Sequence, residues 1–168
     1  MATANSEMPD WMARIKAEQD AARERADAEA KDIALLEALM RTEEPKNIWK
    51  RLKNELESIA KLSGKAIGVN ISVADISSSL ESGLQVSASL PGVGRIGVLR
   101  SAYTNVFLTY GEFRIRCLNQ FEDVLSYFNF CTFRNALTLC SGSKAITPEE
   151  VANEITEHLV SMLRSQRY

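Results

Sequence analysis

The residues best suited to phosphate chemistry lie at positions 92–97, where Gly92-Val93-Gly94-Arg95-Ile96-Gly97 spells G-x-G-x-x-G. In a dinucleotide-binding fold such a run leaves a strand and opens a helix, so that free amides and the helix dipole face a pyrophosphate. Here the run continues into Val98 and Leu99, which read as strand. A strand–loop–strand layout ending on Val98 also suits the glycine-rich loop of protein kinases, but V-A-I-K, H-R-D and D-F-G do not occur in the chain. The reading that remains is a hairpin turn at Pro91-Gly92 whose glycines supply positive φ. No cofactor is expected.

Cys117, Cys131, Cys140 and the single histidine, His158, are the soft-metal ligands the chain could offer. Their spacing contains no short C-x₂₋₄-C or H-x₃₋₅-H knuckle, so no metal site is assigned. The expectation is three buried, reduced thiols in a cytoplasmic protein. His158 falls inside a helical pattern and no G-x-S-x-G elbow occurs, which leaves no serine or cysteine nucleophile to name. Glu122 and Asp123 are neighbours whose side chains diverge in either a strand or a helix, and they read as part of a turn.

Arg114, Arg116 and Arg134 are interleaved with Phe113, Tyr127, Phe128, Phe130 and Phe133. Sheets that bind RNA stack bases on aromatics beside arginines. The chain lacks an RNP1-type motif, and its 20 Lys+Arg are outnumbered by 22 Asp+Glu, for a net charge of −2. Nucleic acid is therefore not the expected partner. If the sheet and helices enclose a pocket, Arg114, Arg116 and Tyr127 are the polar anchors for a small ligand.

The elements that must position these residues follow from composition. Residues 1–62 hold 11 Lys+Arg and 13 Asp+Glu, and ten of the twelve aromatics come later. A charged, Ala-rich front reads as helix, and an aromatic, β-branched remainder as sheet. The first helix is expected over Pro9–Met40, with a thin apolar stripe through Ile15, Ala22, Ala26, Ile33, Leu36 and Met40, interrupted by Gln19 and Glu29. A second helix, with Thr42 as cap and Gly64 as stop, carries Ile48, Trp49, Leu52, Leu56, Ile59 and Ala60 on one face.

Short alternating segments follow at Ile67–Val73, Leu84–Leu90, Ile96–Arg100, Tyr103–Tyr110, Glu112–Leu118, Leu125–Phe133 and Leu137–Cys140. Leu125–Phe133 has large apolar residues on both faces and reads as covered on both sides. Connections this short suit antiparallel neighbours. Thr147-Pro148-Glu149-Glu150 is a capping box with proline at the first helical position, and Ile146 and Val151 can staple it.

The expected fold is α+β: two N-terminal helices, an antiparallel meander of about five to seven strands, and a C-terminal helix packed on the sheet. Residues 1–42 read as an extended charged helical arm, and 43–168 as a single α+β domain. Met1–Trp11 has no apolar core segment of a signal peptide, and no run approaches the roughly 20 apolar residues of a membrane helix. The function this favours is a small, non-enzymatic interaction or adaptor protein, self-associating as a dimer or weak coiled coil. Its interaction surface would be Trp11, Ile15, Ile33, Leu36 and Met40. Small acidic α+β dimers that hold other proteins, secretion chaperones among them, share these gross features at the level of fold alone. The rival class is a ligand-binding or enzymatic domain with a pocket between sheet and helices.

Overall fold

Residues 10–40 are rich in Ala, Glu, Arg and Leu, the strong helix formers, and they build one helix, α1 (Asp10–Met40). The computed structural model describes residues 8–91, 99–109 and 111–165. Pro9 caps α1, its carbonyl accepting from the amides of Met12 (2.9 Å) and Ala13 (3.0 Å). The helix buries no residue. Leu35, Leu36, Leu39 and Met40 are half-buried at its end, and Leu36 and Met40 pack against the core. Thr42 bridges to the next helix: its hydroxyl donates to the Leu39 carbonyl (2.6 Å) and accepts from the Glu44 amide (3.2 Å).

The second helix, α2 (Glu44–Ile67), has the amphipathic face its spacing predicts, with Ile48, Leu52 and Leu56 buried. Burying each such side chain is worth about 1.5–3 kcal/mol. Its end differs from expectation. Gly64 does not stop the helix, which runs on to Ile67 and terminates at Gly68 in the left-handed region (φ 68°). Ile67 is accordingly helical rather than the start of a strand.

Seven antiparallel strands follow in sequence order, each paired with the next: β1 (Asn70–Asp75), β2 (Glu81–Pro91), β3 (Leu99–Thr109), β4 (Arg114–Leu118), β5 (Val124–Phe133), β6 (Ala136–Ser141) and β7 (Lys144–Ile146). The closing helix is α3 (Pro148–Ser165). This is the α+β meander expected from the short connections. The segments expected separately at Ile96–Arg100 and Tyr103–Tyr110 merge, where described, into the single strand β3. The glycine-rich run 92–98 lies outside the described residues.

Register explains which face is greasy. Leu84 pairs with Val106, Val106 with Cys117, Leu108 with Ile115, Ile115 with Phe128, Phe130 with Leu139, and Leu139 with Ile146. All of these are buried, and they share one face of the pleat. The helices cover that face. Val151, Ile155, Leu159 and Leu163 are the buried stripe of α3, which contacts β2 and β3, while α2 contacts β1.

Arg51 clamps α2 to the start of α3 through a two-pronged pair with Glu149 (Nε–Oε1 3.1 Å, Nη2–Oε2 2.9 Å). The capping box forms in both directions: the Glu150 amide donates to Thr147 Oγ1 (3.1 Å), and the Thr147 amide to Glu150 Oε2 (3.3 Å). β5 departs from its expected double cover. Phe128 and Phe130 are buried, but Tyr127 and Phe133 face outward and are exposed, because the helices occupy one side only.

The cysteines are the main correction. Cys131 and Cys140 are not reduced thiols but a disulfide joining β5 to β6, with Cα atoms 6.3 Å apart. The hairpin turns at Arg134-Asn135, both with positive φ (50° and 60°), so Cys131 faces Thr138 and Asn129 faces Cys140. The two cysteines are thus diagonal neighbours on the same face. A loop of this length closed in the unfolded chain is worth about 2–3 kcal/mol. Reduction should lower the unfolding free energy by about that amount, read from the urea midpoint and slope together. Thr147→Ala should cost about 1 kcal/mol in the same measurement through loss of the cap.

Candidate functional site

The most exposed surface is the arm itself. Residues 8–34 are all exposed except Ala21, which is half-buried. The stretch from Asp10 to Asp32 spans about 35 Å of helix. Its charged side chains are at home in water. The apolar ones at the tip are not: Met8, Trp11 (55% exposed), Met12 and Ile15 (46%) lie three to four residues apart and so share one side of the helix. Ile33 is 56% exposed further along. Of the residues expected to make an interaction surface, Trp11, Ile15 and Ile33 are therefore open to solvent, while Leu36 and Met40 pack on the protein's own core. Met8 and Met12 belong to the same patch, although the stripe expected from the sequence begins only at Ile15.

The second surface is a cleft of about 490 Å³ where the arm joins the body. Three elements build it. Met40 comes from the end of α1, Pro45 and Trp49 from the first turns of α2, and Leu108 and Phe113 from the β3–β4 end of the sheet. Glu37 and Lys46 stand among its lining residues. It is an apolar recess with charges beside it, of a size that takes a side chain or a small ligand. Another groove, of about 670 Å³, runs between α2 and α3 past Ile59, Leu62 and Val160.

Arg114, Arg116 and Tyr127, the expected pocket anchors, do come together, but not in either hollow. Arg114 and Arg116 alternate with the buried Ile115 and Cys117 and so point away from the helices. The Arg114 guanidinium lies 4.5 Å from the Tyr127 ring centroid, and its Nε is 3.4 Å from Glu112 Oε2. Arg116 Nη2 donates to Thr109 Oγ1 (3.1 Å) and Glu81 Oε2 (3.4 Å), and its Nε is 3.5 Å from Glu112 Oε2.

Both cations are matched by carboxylates on the same sheet face. This is a cross-strand ion-pair network in which Arg116 Nε alone is buried without a hydrogen bond among the described residues. Of the aromatics in the base-stacking alternative, Phe128 and Phe130 are core residues, while Phe113, Tyr127 and Phe133 are exposed, with Arg134 5.2 Å from the Phe133 ring. Glu122 (φ 64°) and Asp123 lie in a turn organised by Asn119, whose Oδ1 accepts from the amides of Phe121 (2.8 Å) and Asp123 (3.0 Å).

One catalytic-looking combination is brought together only by the fold. Cys117, Glu154 and His158 line a small cavity of about 120 Å³ with Thr104, whose buried Oγ1 has no hydrogen-bond partner among the described residues. A cysteine nucleophile must be a thiolate. Burial pushes the Cys117 thiol from 9.0 up to about 12, the negative charge of Glu154 adds to this, and a hydrogen bond with Ser126 only partly offsets it. The thiol therefore stays protonated and packs as a small apolar group. With Cys131 and Cys140 bonded to each other, the four ligands considered for a metal are also dispersed.

Comparison with family models, curated proteins and solved structures finds no match to this chain. Among the described residues, no helix is long and apolar enough to cross a membrane. The arm, the cleft and the α2–α3 groove all leave apolar surface uncovered, as do Leu80 and Phe121 in the connections between strands.

Cys117 should resist alkylation by iodoacetamide at pH 8 in the folded protein and react fully in denaturant, as read by mass. The folded thiol keeps its proton to about pH 12, while an unfolded one ionises near 9.0. Stability should therefore be undiminished by this group below pH 9.0 and decline as pH climbs toward 12. Cys117→Ala should lack that decline in pH-dependent unfolding.

Proposed function

We propose that this is a non-enzymatic interaction protein that uses α1 as its contact element and associates with itself. The observation that carries the proposal is a 31-residue helix with no buried residue and an exposed apolar tip at Met8, Trp11, Met12 and Ile15. A helix in water gains most of its stability from tertiary packing of an apolar face, and this one finds such packing only in its last two turns. A partner surface supplies what the body does not. The catalytic alternatives are weakened by the protonated state of Cys117 and the internal pairing of Arg114 and Arg116.

The cytoplasmic placement rests on the lack of a signal-peptide segment and a membrane-length run in the sequence, together with reduced thiols. The Cys131–Cys140 bond removes the last of these supports and favours an oxidising compartment.

A second reading is favoured by one observation: the cleft of about 490 Å³ is of the size that holds a small molecule. The two readings separate by truncation. Removing residues 1–32 takes away exposed helix but keeps Leu36, Met40 and the cleft walls. Light scattering should give a dimer mass for the full chain and a monomer for the truncated one, with melting of the body unchanged. Monomers in both forms would defeat self-association. A small molecule that raises the melting temperature equally in both would instead support the ligand-binding reading.

A further inference from the structure

We infer that two copies pair antiparallel along α1, centred on Glu24. This rests on the self-associating reading above and adds its geometry. Within α1, Met12, Ile15, Gln19, Ala22, Ala26, Glu29, Ile33, Leu36 and Met40 are separated by steps of three and four in strict alternation. That is an unbroken heptad seam, with two polar positions in it. The seam is also symmetric about residue 24. In an antiparallel pair Met12 lies level with Leu36 of the second copy, Ile15 with Ile33, Gln19 with Glu29, and Ala22 with Ala26.

Each layer then matches in kind. Large apolar residues meet large ones at the ends, and alanines at the centre let the helices approach closely. The Gln19 amide can donate to the Glu29 carboxylate, so both interruptions of the seam are answered by each other. A parallel pair would instead set Glu29 against Glu29 of the second copy, two carboxylates with no cation between them in the seam. Along the flanks of the antiparallel seam, Lys16 can reach toward Glu37 of the second copy and Glu18 toward its Arg25. The cost falls where Arg23 and Arg25 approach their counterparts and where Glu18 lies near Asp32. Asp27 and Glu29, one turn on along the same helix, offset the arginine repulsion.

The contact is isologous and closes at two copies.

The test uses two full-length variants, Ile15→Cys and Ile33→Cys, mixed and mildly oxidised. Both positions are exposed, so the fold does not depend on them. The native cysteines do not compete, being bonded or buried. The mixture should yield a disulfide-linked dimer joining position 15 to position 33, and neither variant alone should yield a comparable one. Equal crosslinking by Ile15→Cys alone would overturn the antiparallel register while leaving self-association intact. Monomers by light scattering at every concentration would overturn both.

Discussion

A helix that leaves its domain keeps only its backbone hydrogen bonds and the side-chain pairs on its own surface. Those are marginal for a segment of this length in water. α1 accepts that situation over residues 10–32 and escapes it over 35–40, where its leucines and Met40 reach the body. The result is a molecule with two unequal parts: a well-buried sheet and helix body, and an arm whose residues 8–34 stand almost wholly in solvent.

The body is organised to leave the arm free. Helices α2 and α3 cover one face of the seven-stranded sheet, and the side chains on that face interlock from Ile71 through to Ile146. On the other face, polar and charged residues answer one another: Gln85 Nε2 donates to Asn105 Oδ1 (3.2 Å), and Arg116 is held by Glu81, Thr109 and Glu112. Ile76 and the Phe107 ring close over Gly83, where a Cβ would come within 3.0 Å of both. The Cys131–Cys140 bond fastens the β5–β6 hairpin on the same side. Nothing in this arrangement requires residues 10–32.

Features set by short-range chemistry are legible in the sequence. The Thr147–Glu150 box, the amphipathic face of α2 and the meander all depend on residues a few positions apart. Gly64 misleads because a second glycine follows at 68, and only the latter takes the left-handed conformation that ends a helix. The disulfide escapes a simple count of cysteines and needs strand parity. With a two-residue turn at Arg134-Asn135, Cys131 and Cys140 have the parity of same-face neighbours, and that signal is present in the chain. The Cys117, Glu154 and His158 cavity needs α3 laid across the sheet. The cleft needs the end of α1 and the start of α2 brought against the β3–β4 end. Arg114, Arg116 and Tyr127 do group together, but their carboxylate partners Glu81 and Glu112 are not visible without strand register.

The central claim is that the arm is ordered by a second copy and not by its own domain. Hydrogen exchange of the α1 amides, followed as a function of protein concentration, tests it most directly. Residues 12–32 should exchange fast in dilute protein and slow as concentration rises, with residues 36–40 protected throughout. Protection of 12–32 that persists unchanged on dilution would contradict the claim, as would exchange that stays fast at every concentration.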